Sequence, residues 1–231
     1  MTLSEIRTEF GQRAPDSPAT TTQQDIWANE GARDIARRTK FNRTSGSISL
    51  VASTQSYDLI SNFTTFVGID PDGGVAFYDG TNYKELKATS EDFLDKHVAD
   101  WRNANEDEPI AYYKKGKDIY LYPTPSSNWT NGLLVNYFAK PTEMTGDTDD
   151  PFDDRTDLEP YHDLVVTFMV WKAKQSMGEY AQADVARKEY LQGVEQMNLD
   201  LWENLDDQEG FRPYHKMAVQ THSHPNLWGV E

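Results

Sequence analysis

The chain has 231 residues, with 22 Lys or Arg against 38 Asp or Glu and a net charge of −16. Such a balance repels nucleic-acid phosphates and anionic lipid, which argues against a DNA-reading module or a membrane-surface protein. With 37% hydrophobic but 12% aromatic residues and no cysteine, folded domains with polar loops are expected, and disulfides, thiolate zinc sites and cysteine nucleophiles are excluded.

The first residues place Leu3, Ile6 and Phe10 at i, i+3 and i+7, one face of a helix that Gly11 and Pro15 should stop. They show no apolar leader segment, so no signal peptide is expected, and the chain reads as a soluble protein made inside a cell. After a Ser/Thr/Pro loop over 15–22, a second helix puts Ile26, Trp27, Ala32, Ile35 and Ala36 on a broad apolar face. Its other face carries Arg33, Arg37, Arg38 and Lys40, cations that suit the negative end of a helix dipole.

Residues 42–140 change to short alternating runs. Strands are expected at 47–52, 57–60, 66–69, 75–78 and 83–86, with turns at 70–74 and 79–82. A helix over 90–101 opens on Ser90 and directs Phe93, Val98 and Trp101 to a core. Three more strands follow at 109–113, 118–122 and 133–138, the first two joined by a hairpin of Lys114, Lys115, Gly116 and Lys117. In 118–122, Ile119 and Leu121 face one way and Tyr120 and Tyr122 the other, before Pro123 and Pro125 end the ladder. Tyr112, Tyr113, Tyr120, Tyr122, Tyr137 and Phe138 thus fall on three successive strands. That surplus fits a small barrel or sandwich with tyrosine hydroxyls at its rim. It also fits a sheet whose tyrosine face meets a partner.

In the last third, Thr156 and Glu159 have the spacing of a capping box ahead of an apolar helix. Tyr161, Leu164, Val165, Phe168 and Trp171 form one stripe, and Val166, Met169, Val170 and Ala173 nearly close the cylinder, so this helix belongs in the middle of a helical assembly. Gly178 ends it. A second long helix over 180–205 aligns Ala183, Ala186, Tyr190, Val194, Met197 and Leu201, and the short link makes the two antiparallel neighbours. The expected fold class is α+β: a helical bundle from residues 1–41 and 141–205, a β-rich barrel or sandwich insert at 42–140, and an extended tail at 206–231.

No catalytic constellation stands out. The acidic run over 147–157 invites a calcium loop, but Phe152 and Leu158 occupy the positions of the required glycine and glutamate, so a solvated loop is expected. The histidines (His97, His162, His215, His222 and His224) lack a zinc-ligand framework, and His162 reads as a partly buried structural residue. There is no nucleophile elbow and no phosphate-cradling glycine loop, and nothing selects a pair among the 38 acids. No catalytic residue, cofactor or metal is expected.

One ordered set of motifs is informative: PIAYY at 109–113, the Lys/Gly hairpin, IYLYPTP at 119–125, and VNYF at 135–138 closing on Lys140 and Pro141. Together with LSEIR at 3–7, YHDL at 161–164, GEYAQA at 178–183 and YLQGVEQM at 190–197, it resembles the head-to-tail adaptor (connector) proteins of tailed bacteriophages over residues 1–203. The resemblance implies a virion protein, synthesised in the host cytoplasm. It implies a ring, usually of about twelve copies, beneath the portal at the capsid vertex. Helices would form the ring wall, DNA would pass the channel without specific binding, the C-terminal segment would dock on the portal, and the lower face would meet the tail. On that basis Phe211, Tyr214, Leu227 and Trp228 are portal-docking candidates. Tyr112, Tyr120 and Tyr122 are candidates for contact with the tail or a neighbouring subunit, and Arg33, Arg37 and Arg38 for pairing with acids of the next subunit. Two other readings are a carbohydrate-binding module or other non-catalytic tail protein, in which Trp101, Trp129 and the tyrosines stack on sugars, and a hydrolase with an unselected carboxylate pair.

Overall fold

The computed structural model describes residues 1–153 and 155–209. Helix α1 (Leu3–Arg13) is opened by a capping box at Thr2: its hydroxyl accepts from the Glu5 N–H, and the Glu5 carboxylate accepts from the Thr2 N–H. Leu3, Ile6 and Phe10 are buried as their spacing predicts, although the helix runs through Gly11. Helix α2 (Thr21–Thr39) is capped by Thr20 and ends at Lys40 in the left-handed conformation, φ 54°. Trp27, Ala32, Ile35 and Ala36 are buried, but Ile26 is 45% exposed, because one residue turns a helix about 100° away from its neighbour's face.

The chain then runs through β1 (Arg43–Leu50), β2 (Ser56–Asp58), α3 (Leu59–Asn62), β3 (Phe66–Ile69), β4 (Val75–Tyr78), β5 (Tyr83–Glu85), β6 (Lys87–Ala88), α4 (Glu91–His97), β7 (Ala111–Lys115), β8 (Asp118–Tyr122) and β9 (Trp129–Ala139). One sheet has the order β1-β9-β4-β5, with β3 also paired to β9, and the other has the order β2-β8-β7-β6. The two sheets face each other across a shared core and do not close into a barrel. Ile48, Leu50, Val75, Phe77, Leu133 and Val135 come from the first sheet, and Tyr57, Tyr112, Ile119 and Leu121 from the second. The expected single strand at 83–86 is in fact a corner. Its start pairs with β4, the buried Leu86 marks the turn, and residues 87 and 88 cross to pair parallel with β7.

Three further expectations are corrected. The strand at 57–60 gives way after Asp58 to the helical turn α3, because the Asp58 carboxylate accepts the N–H groups of Ile60 and Ser61 and caps it. The helix over 90–101 stops at His97; Asp100 is left-handed at φ 51°, and Trp101 belongs to a separate 3-10 turn. The Thr156–Glu159 capping box does not form. Pro160 lacks the N–H that an α-helix would need there, and the segment Thr156–Tyr161 is a 3-10 helix without a side-chain cap.

Helix α5 (Asp163–Ser176) begins beyond it and reverses at Gly178, φ 78°, into α6 (Tyr180–Glu209). Residues 206–209, expected in the tail, continue this helix. α5 contacts α1, α2 and α6, and Val165, Val166, Met169, Tyr190 and Met197 lie in the core these helices share with Leu3, Ile6, Phe10 and Ile35. None of the described helices is long and apolar enough to cross a membrane.

Candidate interaction surfaces

The predicted arginine edge lines a groove. Gly31 of α2 sits so close to Phe168 of α5 that a Cβ there would meet the ring at 3.1 Å. Beside that close approach a cleft of about 440 Å³ opens, lined by Glu30, Arg33, Asp34, Arg37 and Arg38 from α2 and by Phe168, Trp171 and Lys172 from α5. Asp34 organises it. Its carboxylate accepts from the Tyr190 hydroxyl at 2.7 Å, from Arg38 Nε at 2.6 Å and from Arg37 Nη2 at 2.5 Å. Burial pushes the Asp34 pKa up, but the donors Arg38, Tyr190 and Arg37 outweigh it and hold the carboxyl below its ordinary value. The Tyr190 hydroxyl, buried and facing Asp34, is pushed well above its own. Lys172 pairs with Glu30 at 3.1 Å, and the Arg187 guanidinium of α6 lies over Trp171 at 5.8 Å. Arg33 is exposed and makes no ion pair with a described residue. Five cations thus meet two carboxylates on a chain whose net charge is −16. The helix period brings the arginines together with Asp34, three and four residues before Arg37 and Arg38, whereas Lys172 and Tyr190 join them only through packing.

The three predicted tyrosines do not share a face, because β7 and β8 alternate. Tyr112 is 9% exposed and points into the core between the sheets. Tyr120 and Tyr122 are half-buried on the opposite side, where Leu94, Val98, Trp101 and Tyr113 cover them. Tyr120 stacks on Tyr113 with centroids 4.9 Å apart, and Trp101 meets Tyr113 and Tyr122 edge-on. Trp101 itself is 5% exposed, donates Nε1–H to Asp95 at 2.7 Å and carries Arg102 over its ring. It is a structural pin rather than an open stacking platform for sugar. The tail candidates Phe211, Tyr214, Leu227 and Trp228 lie outside the described residues.

The acidic loop is tied to the backbone. Asp149 accepts from the N–H groups of Thr145 and Gly146, both at 2.7 Å, which lower its pKa. Asp150 accepts from the Phe152 N–H, and Asp153 from the Thr142 N–H and the Asn42 amide. Among the described residues no group of three acids or histidines is arranged to hold a metal ion. His162 is buried, edge-on to Phe152, with Nδ1 against the Met1 ammonium; its Nε2, 3.4 Å from Asp150, has no hydrogen-bond partner.

Burial is the main reason the His162 pKa is lowered. Asp150, Glu159 and Glu5 oppose that shift, and the Met1 ammonium reinforces it. The unfolded chain therefore binds the proton first. Stability is full above about pH 6.5 and falls on acidification toward the lower folded value. Unfolding midpoints followed from pH 7.5 to 5 should drop for the wild type and drop less steeply for His162→Gln. Parallel slopes would exclude His162 as the group responsible.

A family model described as SU10 adaptor protein matches residues 1–214. The chain belongs to the SU10 adaptor protein family. This is the kind of membership the resemblance implies: a structural phage adaptor, a component of the virion that works with portal and tail proteins. Of the four tail candidates, Phe211 and Tyr214 fall inside the matched residues and Leu227 and Trp228 beyond them. No curated protein matches the sequence.

Proposed function

We propose that the protein is a head-to-tail adaptor that closes into a ring, of about twelve copies, between the portal and the tail. The observation that carries this reading is family membership over residues 1–214, nearly the whole chain. In it, residues 1–41 and 141–205 form the helical bundle of the ring wall, and 42–140 form the insert beside it. The tail beyond α6, residues 210–231, docks on the portal through Phe211, Tyr214, Leu227 and Trp228. Tyr120 and Tyr122, half-exposed where Tyr112 is not, face the tail or a neighbour, and the Arg33, Arg37 and Arg38 edge lies between subunits. The net charge of −16 per copy supports a channel past which DNA slides without adhering, during packaging and ejection.

The test is co-sedimentation with the portal ring of the same virus. The full chain should sediment with it, and a chain lacking 211–231 should not. Failure of the full chain to sediment overturns the adaptor reading; retention of the shortened chain overturns only the docking assignment.

A further inference from the structure

We infer that the cationic groove between α2 and α5 receives the acidic segment 143–159 of a second copy, so that copies join head to tail. The inference rests on the ring reading and names both halves of the contact.

The groove has unsatisfied charge held in place. Asp34 engages Nη2 of Arg37 and Nε of Arg38, fixing both guanidinium groups while each keeps further N–H donors for another carboxylate. Arg33 stands beside them without an ion pair among the described residues, and Trp171 supplies a half-buried aromatic floor. The opposite surface is equally well defined. Because Asp149, Asp150 and Asp153 turn toward backbone N–H groups, the acids left at the surface of the segment, among the described residues, are Glu143, Asp147, Asp157 and Glu159.

Within one copy the two surfaces do not pair. The segment is fastened to α2 at Asn29, one turn before Arg33: the Asn29 amide donates to the Met144 carbonyl at 3.0 Å and accepts from the Met144 N–H at 2.8 Å. Among the described residues, none of the surface acids pairs with a groove cation; Asp147 pairs with Arg7 and Asp157 with Arg155. A patch that finds its complement elsewhere on an identical molecule makes a heterologous contact, which propagates and closes when the rotation between copies allows.

Charge reversal followed by mixing tests the pairing, with sedimentation velocity of the full chain at low salt as the readout. A groove variant, Arg33→Glu with Arg37→Glu, and a segment variant, Glu143→Lys with Asp147→Lys, should each associate with itself about tenfold or more weakly than the wild type. An equimolar mixture of the two should recover assembly, because every junction is then again between opposite charges. Unchanged thermal midpoints establish that both variants are folded. A wild type that stays monomeric both free and on the portal overturns the ring reading itself. A wild type that assembles while either variant assembles equally well, or while the mixture fails to recover, overturns this interface alone. Arg33-dependent retention of a short DNA duplex by the wild type would reassign the groove to nucleic acid and also overturn it.

Discussion

Replacing Tyr190 by Ala is expected to lower the thermal unfolding midpoint by about 6–20 °C, and replacing it by Phe by less than half as much. Tyr190 is fully buried at the meeting point of α6, α5 and α2, with Phe168 edge-on at 5.3 Å and Trp171 stacked at 6.1 Å. Truncating such a side chain costs about 3–5 kcal/mol in lost contacts and residual cavity. For a chain of this size each kcal/mol moves the midpoint by about 2–4 °C. The Phe variant keeps the ring and removes one donor from Asp34, which retains Arg37 and Arg38, so the loss is about 1–2 kcal/mol. It should also have a signature that a packing defect lacks. With one donor gone, the Asp34 pKa rises toward its ordinary value, and the stability that Asp34 contributes above about pH 4 is smaller. The Phe variant should therefore lose less additional stability than the wild type between pH 5 and 3. If the two tyrosine variants are equally destabilised, the hydroxyl rather than the ring holds the helices together, and the packing argument is wrong.

The contrast between Tyr190 and Asp34 shows what periodicity can and cannot convey. The spacing of Ala183, Ala186, Tyr190, Val194, Met197 and Leu201, in steps of three and four, identifies a buried face without any knowledge of what it packs against. The first five are buried, and Leu201 is half-buried against the same core. Strands whose pattern is local behaved the same way: 66–69, 75–78 and 118–122 have the predicted bounds. Features decided by a distant partner were not readable. Residues 83–88 divide between two sheets because β4 and β7 claim different ends of one short run. The groove depends on Tyr190 and Asp34, 156 residues apart, and on Lys172 and Glu30. The arginines were legible as a stripe, and the i, i+3 and i, i+4 spacing of Asp34 to Arg37 and Arg38 was the signal for their pairing; the Tyr190 hydroxyl on that carboxylate was not legible, nor was the period-two divergence of Tyr112 from Tyr120, which depends on where the strands stand in the sheet.

Phe152 is the sharpest case of a residue hidden by its neighbours, and the second large effect is expected there. In an acidic run it appears only as the wrong residue for a calcium loop, yet it is fully buried. Its ring sits edge-on to Phe41 at 5.2 Å and to His162 at 5.2 Å, joining the exit of α2 to the approach of α5. The surrounding carboxylates support this placement: Asp150 accepts the Phe152 N–H, and Asp153 accepts the Thr142 N–H. Arg155 donates to the Phe41 carbonyl. The charged residues therefore shape a loop whose function is to deliver one aromatic ring to the core. Phe152→Ala should cost about 3–5 kcal/mol, as for other buried aromatics, while Phe152→Leu should cost less because much of the volume is kept. The Ala variant should also admit water beside His162 and relieve the burial that depresses its pKa, so the loss of stability between pH 6.5 and 5 should flatten as it does for His162→Gln. A thermal midpoint within about 2 °C of the wild type would show that the loop peels away without disturbing the helices. In that case segment 143–159 would be a separate, mobile surface, and the fixed array of acids that the head-to-tail contact requires would not exist.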